Sequence, residues 1–154
     1  MKVSRQADYA LRAMFTLAEC YGREPISIRE LAEQNDVPKR FLEQIMLDLK
    51  AQGWVESTPG KRGGYRLAQS PDRVSMGQIV RHFNGLLAPI SCVSISHYEP
   101  CSQESTCRFR RVFLEIRNDV ARRMDGASLA AVMTGQPVVM HEVFDDVLIS
   151  GAGI

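Results

Sequence analysis

The stretch SIRELAEQNDVPKRFLEQIMLDLKAQ, residues 27–52, leaves few folds open. A helical pattern opens at Ser27, where Glu30 three residues on predicts a capping box, and carries Ile28, Leu31 and Ala32 inward. NDVP (35–38) is a short turn. A second helical pattern has Pro38 in its first turn, where a missing N–H costs nothing, and runs to about Gln52. Its expected buried face is Phe41, Leu42, Ile45, Met46 and Leu49. Two short helices around a tight turn, the second strongly amphipathic, make a helix-turn-helix candidate, a pattern that many helical bundles share.

The next residues sharpen it. GWVESTPGKRGGYRLA (53–68) predicts two short strands, with Trp54 and Val55 on one arm and Tyr65 and Leu67 on the other. The connecting tip, PGKRGG, is basic. A hairpin directly after a recognition-type helix, charged at its tip, is the wing of a winged helix-turn-helix; the plainer alternative is a solvated Gly-rich turn.

On either side the pattern stays helical. Residues 4–21 repeat apolar positions at Tyr9, Leu11, Met14, Phe15, Leu17 and Ala18 after a candidate N-cap at Ser4, and GREP (22–25) breaks them. SPDRVSMGQIVRHFNG (70–85) predicts a helix opened near Ser75 and closed by Gly85. A long helix is expected from about Ser105 to Met124, with Phe109, Val112, Phe113, Ile116, Val120 and Met124 on one stripe. SLAAVMTG (128–135) follows as a short final helix, and GAG near the end suggests fraying. The long stripe either pairs with a second copy of the chain or folds back on the winged part; a two-fold dimer is the economical solution.

With a net charge of +1 the molecule is not a polycation, so DNA contact must come from a local patch. In the major groove the second helix of the motif would offer Lys39, Arg40, Glu43 and Gln44. Arg40 can fork onto guanine, and Glu43 can accept from cytosine or pair with Lys39. Lys61, Arg62 and Arg66 would meet phosphates or the minor groove, with Lys2 and Arg5 adding backbone contacts. A dimer implies a near-palindromic operator.

CVSISHYEPCSQESTC (92–107) gathers three of the four cysteines in a C-x8-C-x5-C arrangement. The N-terminus holds no apolar run long enough for a signal peptide or membrane span, so a cytoplasmic protein without membrane contact is expected. There clustered thiols lean toward metal or redox chemistry. The spacing is unlike that of a structural zinc site, and thiolates also suit copper or iron–sulfur clusters. Cys20, on the apolar side of the first helix, reads as a small buried hydrophobe.

Together SRQADYALRAM, FLEQIMLDLKAQGWVES, RGGYRLA and the three cysteines resemble the winged-helix regulators typified by IscR, NsrR and RirA, the Rrf-two family. The resemblance implies a cytoplasmic homodimeric regulator, here expected to repress, whose binding to double-stranded DNA depends on an iron–sulfur cluster, 4Fe–4S or 2Fe–2S. It implies Cys92, Cys101 and Cys107 as ligands. One branch adds a histidine where this chain has Arg110, which cannot ligate. The nitric-oxide-sensing branch adds an aspartate from the partner subunit's first helix, where Asp8 stands; His97 is the other candidate. Two departures stand out: the first inter-cysteine gap is longer than usual, and Pro59 replaces a basic residue before the wing. Cluster-free relatives suggest the alternative of control by cysteine oxidation or by docking of a metabolic enzyme.

No nucleophile–base pairing or phosphate-binding motif points to an enzyme. The expected fold is mainly α with a small β-hairpin. It comprises a winged helix-turn-helix domain (1–85), a cysteine-bearing cluster loop (86–107), a dimerisation helix with a short final helix (108–135) and a C-terminal tail (136–154).

Overall fold

The computed structural model describes residues 1–143, which are mainly helical with one two-stranded antiparallel hairpin. The GAG stretch expected to fray lies outside these residues. Helix α1 (Arg5–Glu19) begins where the Ser4 hydroxyl accepts the Ala7 N–H at 3.2 Å, satisfying an amide that the first turn leaves free. Its buried stripe is Ala7, Ala10, Ala13, Met14, Leu17 and Ala18. Tyr9, Leu11 and Phe15, expected inside, sit half-buried at the core margin. Alanine has nothing beyond Cβ, so this face lets four helices and the hairpin approach α1 closely.

Ser27 opens α2 (Ile28–Gln34) by accepting the Glu30 N–H at 3.2 Å. The return bond of the expected capping box is missing there, because the Glu30 carboxylate accepts from Gln34 at 3.4 Å. The complete box forms at Ser75 and Gln78, opening α4 (Met76–Asn84). Helix α3 (Lys39–Ala51) buries Leu42, Ile45, Met46 and Leu49 against α1 and α2. Phe41 corrects the sequence reading, for it is 61% exposed. At 3.6 residues per turn it falls about a quarter-turn off the centre of an arc that the other four already fill.

The hairpin joins β1 (Val55–Thr58) to β2 (Gly64–Leu67), with Val55 opposite Leu67 and Glu56 opposite Arg66. Ile26, just before α2, exchanges two backbone bonds with Tyr65 at 2.9 and 2.8 Å, so the wing is stitched to the helix-turn-helix. That contact needs Gly64, where a Cβ would strike the Ile26 carbonyl.

Helix α5 (Arg110–Gly126) starts at Arg110 rather than near Ser105. Residues 103–107 form a turn in which the Gln103 carbonyl accepts from Thr106 and Cys107 at 3.1 and 2.8 Å. No residue of α5 is buried. Its C-terminal end rests on α4 at Gly77, where a Cβ would lie 2.8 Å from the Asp125 nitrogen. At its other end Phe109, Val112 and Ile116 are open to solvent. After α5 the chain re-enters the winged core: Leu129, at the start of α6 (Leu129–Met133), is fully buried and its N–H donates to Val74 at 2.8 Å. One more helical turn, α7 (Met140–Val143), follows the helix expected to be last. Among the described residues no helix is long and apolar enough to cross a membrane.

Candidate nucleic-acid interface and thiol loop

Two surfaces carry the candidate residues. The first is the outward face of α3 with the wing. Lys39, Arg40, Glu43 and Gln44 are all exposed on the first turns of α3, beyond a Pro38 N-cap that offers no side-chain bond. The first amides of a helix have no intrahelical partner, so this end favours phosphate. Lys39 and Glu43 form the i,i+4 pair that competes with base reading, at 3.5 Å and half exposed, where such a pair is weak.

On the wing, Lys61 and Arg62 stand exposed at the tip and have no ion pair among the described residues. Arg66 differs: it is engaged by Glu56 across the hairpin at 2.5 Å. Arg5 and Lys2 are exposed and line a cavity of about 740 Å³ with Asp8 and Asn84. The Asn84 side chain pins this N-terminal segment to α4, accepting the Ser4 N–H at 2.8 Å and donating to the Lys2 carbonyl at 3.2 Å.

The second surface is the loop before α5. Cys92, Cys101 and Cys107 are free thiols lining one cavity of about 550 Å³ together with Pro100 and Phe109. Cys101 is exposed and the other two are half-buried. Among the described residues no three His, Cys, Asp or Glu side chains converge to hold a single ion. Cys20 lies apart, packed against the core at the end of α1.

Three residues that the sequence reading left without a role brace this loop. Arg110 donates to the Cys92 carbonyl through Nε at 3.2 Å and Nη2 at 2.7 Å. Arg117, two turns on, donates to the Val93 carbonyl at 2.7 Å. Glu104 accepts the Cys101 N–H at 3.1 Å and the Tyr98 hydroxyl at 2.9 Å, and pairs with Arg110 at 3.3 Å. The bond to the Glu104 carboxylate raises the Tyr98 phenol above its ordinary pKa. The signal for the two arginines was their seven-residue spacing, which puts both on one face of a helix; nothing local marks Glu104.

Of the candidate fourth ligands, His97 lines a cavity that shares Ile90, Ser91 and Glu99 with that of the three thiols, and Asp8 one that shares no residue with it. The His97 backbone N–H donates to the Ser94 hydroxyl at 2.9 Å. The Asp8 carboxylate is held by a two-bond fork from Arg12, at 2.8 and 3.2 Å. Arg12 also reaches the Asn35 carbonyl at 3.4 Å, at the end of α2.

The Rrf2 family model, described as an iron-dependent transcriptional regulator, matches residues 3–135. An rrf2-like HTH-type transcriptional regulator of Rhodobacter capsulatus is 41% identical over 120 residues, 74% of this chain and 80% of the relative. The HTH-type regulator CymR of Bacillus subtilis is 32% identical over 131 residues, 82% of this chain and 94% of its own. Its solved structure, that of "the Global Cysteine Regulator", superposes with a TM-score of 0.71 over 89% of this chain and 99% of that one, at 28% identity. IscR of T. potens superposes with a TM-score of 0.68 at 26% identity, over 93% and 96% of the two chains.

Proposed function

The chain belongs to the Rrf2 family of transcriptional regulators, and from that premise we propose that it is a homodimeric, cytoplasmic repressor that senses through an iron–sulfur cluster held by Cys92, Cys101 and Cys107. Helix α3 enters the major groove with Arg40, Glu43 and Gln44 toward base edges, while Lys61 and Arg62 meet phosphates of a near-palindromic operator. A second copy covers Phe109, Val112 and Ile116, the open end of the α5 stripe.

One observation carries the sensing half: three free thiols from a single loop share one cavity whose walls are tied to α5. Soft donors spread around a cavity would suit a cluster, whose several irons are ligated separately, better than a single ion, on which donors must converge. The donor set therefore fits a cluster short of one ligand. The resemblance points to Asp8 of the partner subunit for that place; in its own protomer Asp8 lines a cavity that none of the three thiols lines. When bound, the cluster supplies iron that reacts with nitric oxide, oxygen or reductants.

The chain's own residues supply the rest. Arg110, Arg117 and Glu104 hold the loop backbone to α5; α5 packs on α4, and α4 on α1, which carries Asp8 and supports α3. A shift of the loop is thus passed to the reading helices through packed elements. A change of tenfold in operator affinity asks for only about 1.4 kcal/mol of coupling.

A second reading is favoured by the likeness to CymR: a cluster-free regulator switched by oxidation of the same thiols or by docking of a metabolic enzyme. Oxygen-free purification separates the two. Iron and acid-labile sulfide, lost on changing the three cysteines to serine together with regulated DNA binding, are expected; a colourless protein that still binds DNA in a thiol-dependent way gives the second reading.

A further inference from the structure

We propose that Phe41 reads the 5-methyl group of thymine in the major groove. This rests on placing α3 in that groove. The polar side chains on the first turns of α3 can between them address guanine, cytosine and adenine through Arg40, Glu43 and Gln44. None of them recognises what distinguishes thymine, a methyl group, which calls for an apolar contact.

A lone exposed apolar residue means little in itself. Phe41, however, sits in the first turn of α3, next to Arg40 and three residues before Gln44, with 61% of its surface exposed. The core does not need it, since Leu42, Ile45, Met46 and Leu49 close that arc. Among the described residues its ring stacks on no other aromatic. Side chains three apart on a helix are surface neighbours, about 5–6 Å between Cβ atoms. An A·T pair shows the adenine N6–N7 edge and the thymine methyl side by side in the major groove, so Gln44 and Phe41 together suit the two halves of one such step. Leu47 is also exposed, at 55%, but six residues further along, away from the end of the helix that reaches bases.

The test uses the full chain, prepared without oxygen, and a duplex selected by it from a random-sequence pool. Each thymine of that duplex is replaced singly by deoxyuridine, which deletes the methyl and nothing else. The expected result is one thymine per half-site whose replacement weakens binding about fourfold, the worth of one buried methyl. Phe41→Ala binds both duplexes alike, whereas Leu47→Ala keeps the discrimination. The proposal is overturned if Phe41→Ala discriminates as the native protein does, or if no thymine shows a methyl effect. A pool that enriches no sequence overturns the groove reading of α3 itself, and this proposal with it. Thermal melts of Phe41→Ala are expected to match the native protein, since the ring is not in the core.

Discussion

Glu104 and Arg110 stand 3.3 Å apart as an ion pair, and between them they hold the backbone of two loop cysteines to the first turn of α5. The carboxylate takes the Cys101 N–H while the guanidinium takes the Cys92 carbonyl twice. With side chains 21% and 33% exposed, the pair is shielded better than the outer ion pairs of this surface. Arg110 thus grips the loop that carries the three thiols.

Arg110→Ala is therefore expected to loosen the loop without unfolding the winged core. The loss of charge-assisted bonds is worth about 1–2 kcal/mol locally. Amide hydrogen exchange across residues 91–107 rises, while that of α1 and α3 is unchanged. Arg110→Lys does not rescue, because an ammonium cannot fork onto one carbonyl while pairing with Glu104. Exchange rates in the loop that equal those of the native protein would count against the brace.

The wing yields a prediction about charge that the sequence alone does not offer. Lys61, Arg62 and Arg66 look equivalent along the chain, yet Arg66 is engaged by Glu56 across the hairpin. Binding to a selected duplex, measured against salt, is expected to lose slope by about 0.9 for each phosphate contact removed by Lys61→Ala or Arg62→Ala. Arg66→Ala changes the slope less. Glu56→Gln is expected to strengthen binding, by freeing Arg66 and removing a negative charge from the proposed DNA-facing wing. Equal effects from the three basic residues would show that Arg66 leaves Glu56 on DNA.

How far the fold was legible follows from the kind of signal each element carries. The caps at Ser4, Ser27 and Ser75, the Pro38 start and the Gly85 stop are local chemistry, and all were readable in sequence order. Helical period placed Leu42 and Met46 correctly but misplaced Phe41, because the width of the buried arc is set by neighbours distant in sequence. The alanine face of α1 was hidden for the same reason: apolar size draws the eye to Tyr9 and Phe15, while close packing selects Ala10 and Ala13. Cysteine spacing marked the loop, but that the thiols line one cavity depends on Glu104, Arg110 and Arg117, whose bonds to backbone leave no periodic trace.

Gly64 offers a test of how the wing is attached. A methyl group there would meet the Ile26 carbonyl and the Ser27 nitrogen, both backbone atoms on an ordered strand-like contact. Gly64→Ala is expected to destabilise the protein by about 1–3 kcal/mol, the usual range for forced overpacking. It should also lower affinity for DNA, since the wing would tilt away from α3. A denaturation midpoint equal to that of the native protein would show that the Ile26–Tyr65 pair can open freely.

Asp8 is the last residue whose role an experiment can separate. Its pair with Arg12 is half exposed on both sides and lies at i,i+4, an arrangement worth only about 0.3–0.5 kcal/mol. Such a latch opens at little cost, so Arg12 would not prevent the carboxylate from serving as the proposed fourth ligand. Release would also free Arg12 from its position between Asp8 and the Asn35 carbonyl, at the turn that precedes α3. Asp8→Ala is accordingly expected to leave the melting temperature almost unchanged and to leave cluster content intact after oxygen-free preparation. The rate of cluster loss and the spectral response to nitric oxide should both change. Arg12→Ala, which only unlatches the carboxylate, should leave Asp8 able to ligate and slow the loss of cluster. If both variants lose the cluster at the native rate and answer nitric oxide with the native spectrum, Asp8 is a helix-start acid and the fourth ligand lies elsewhere.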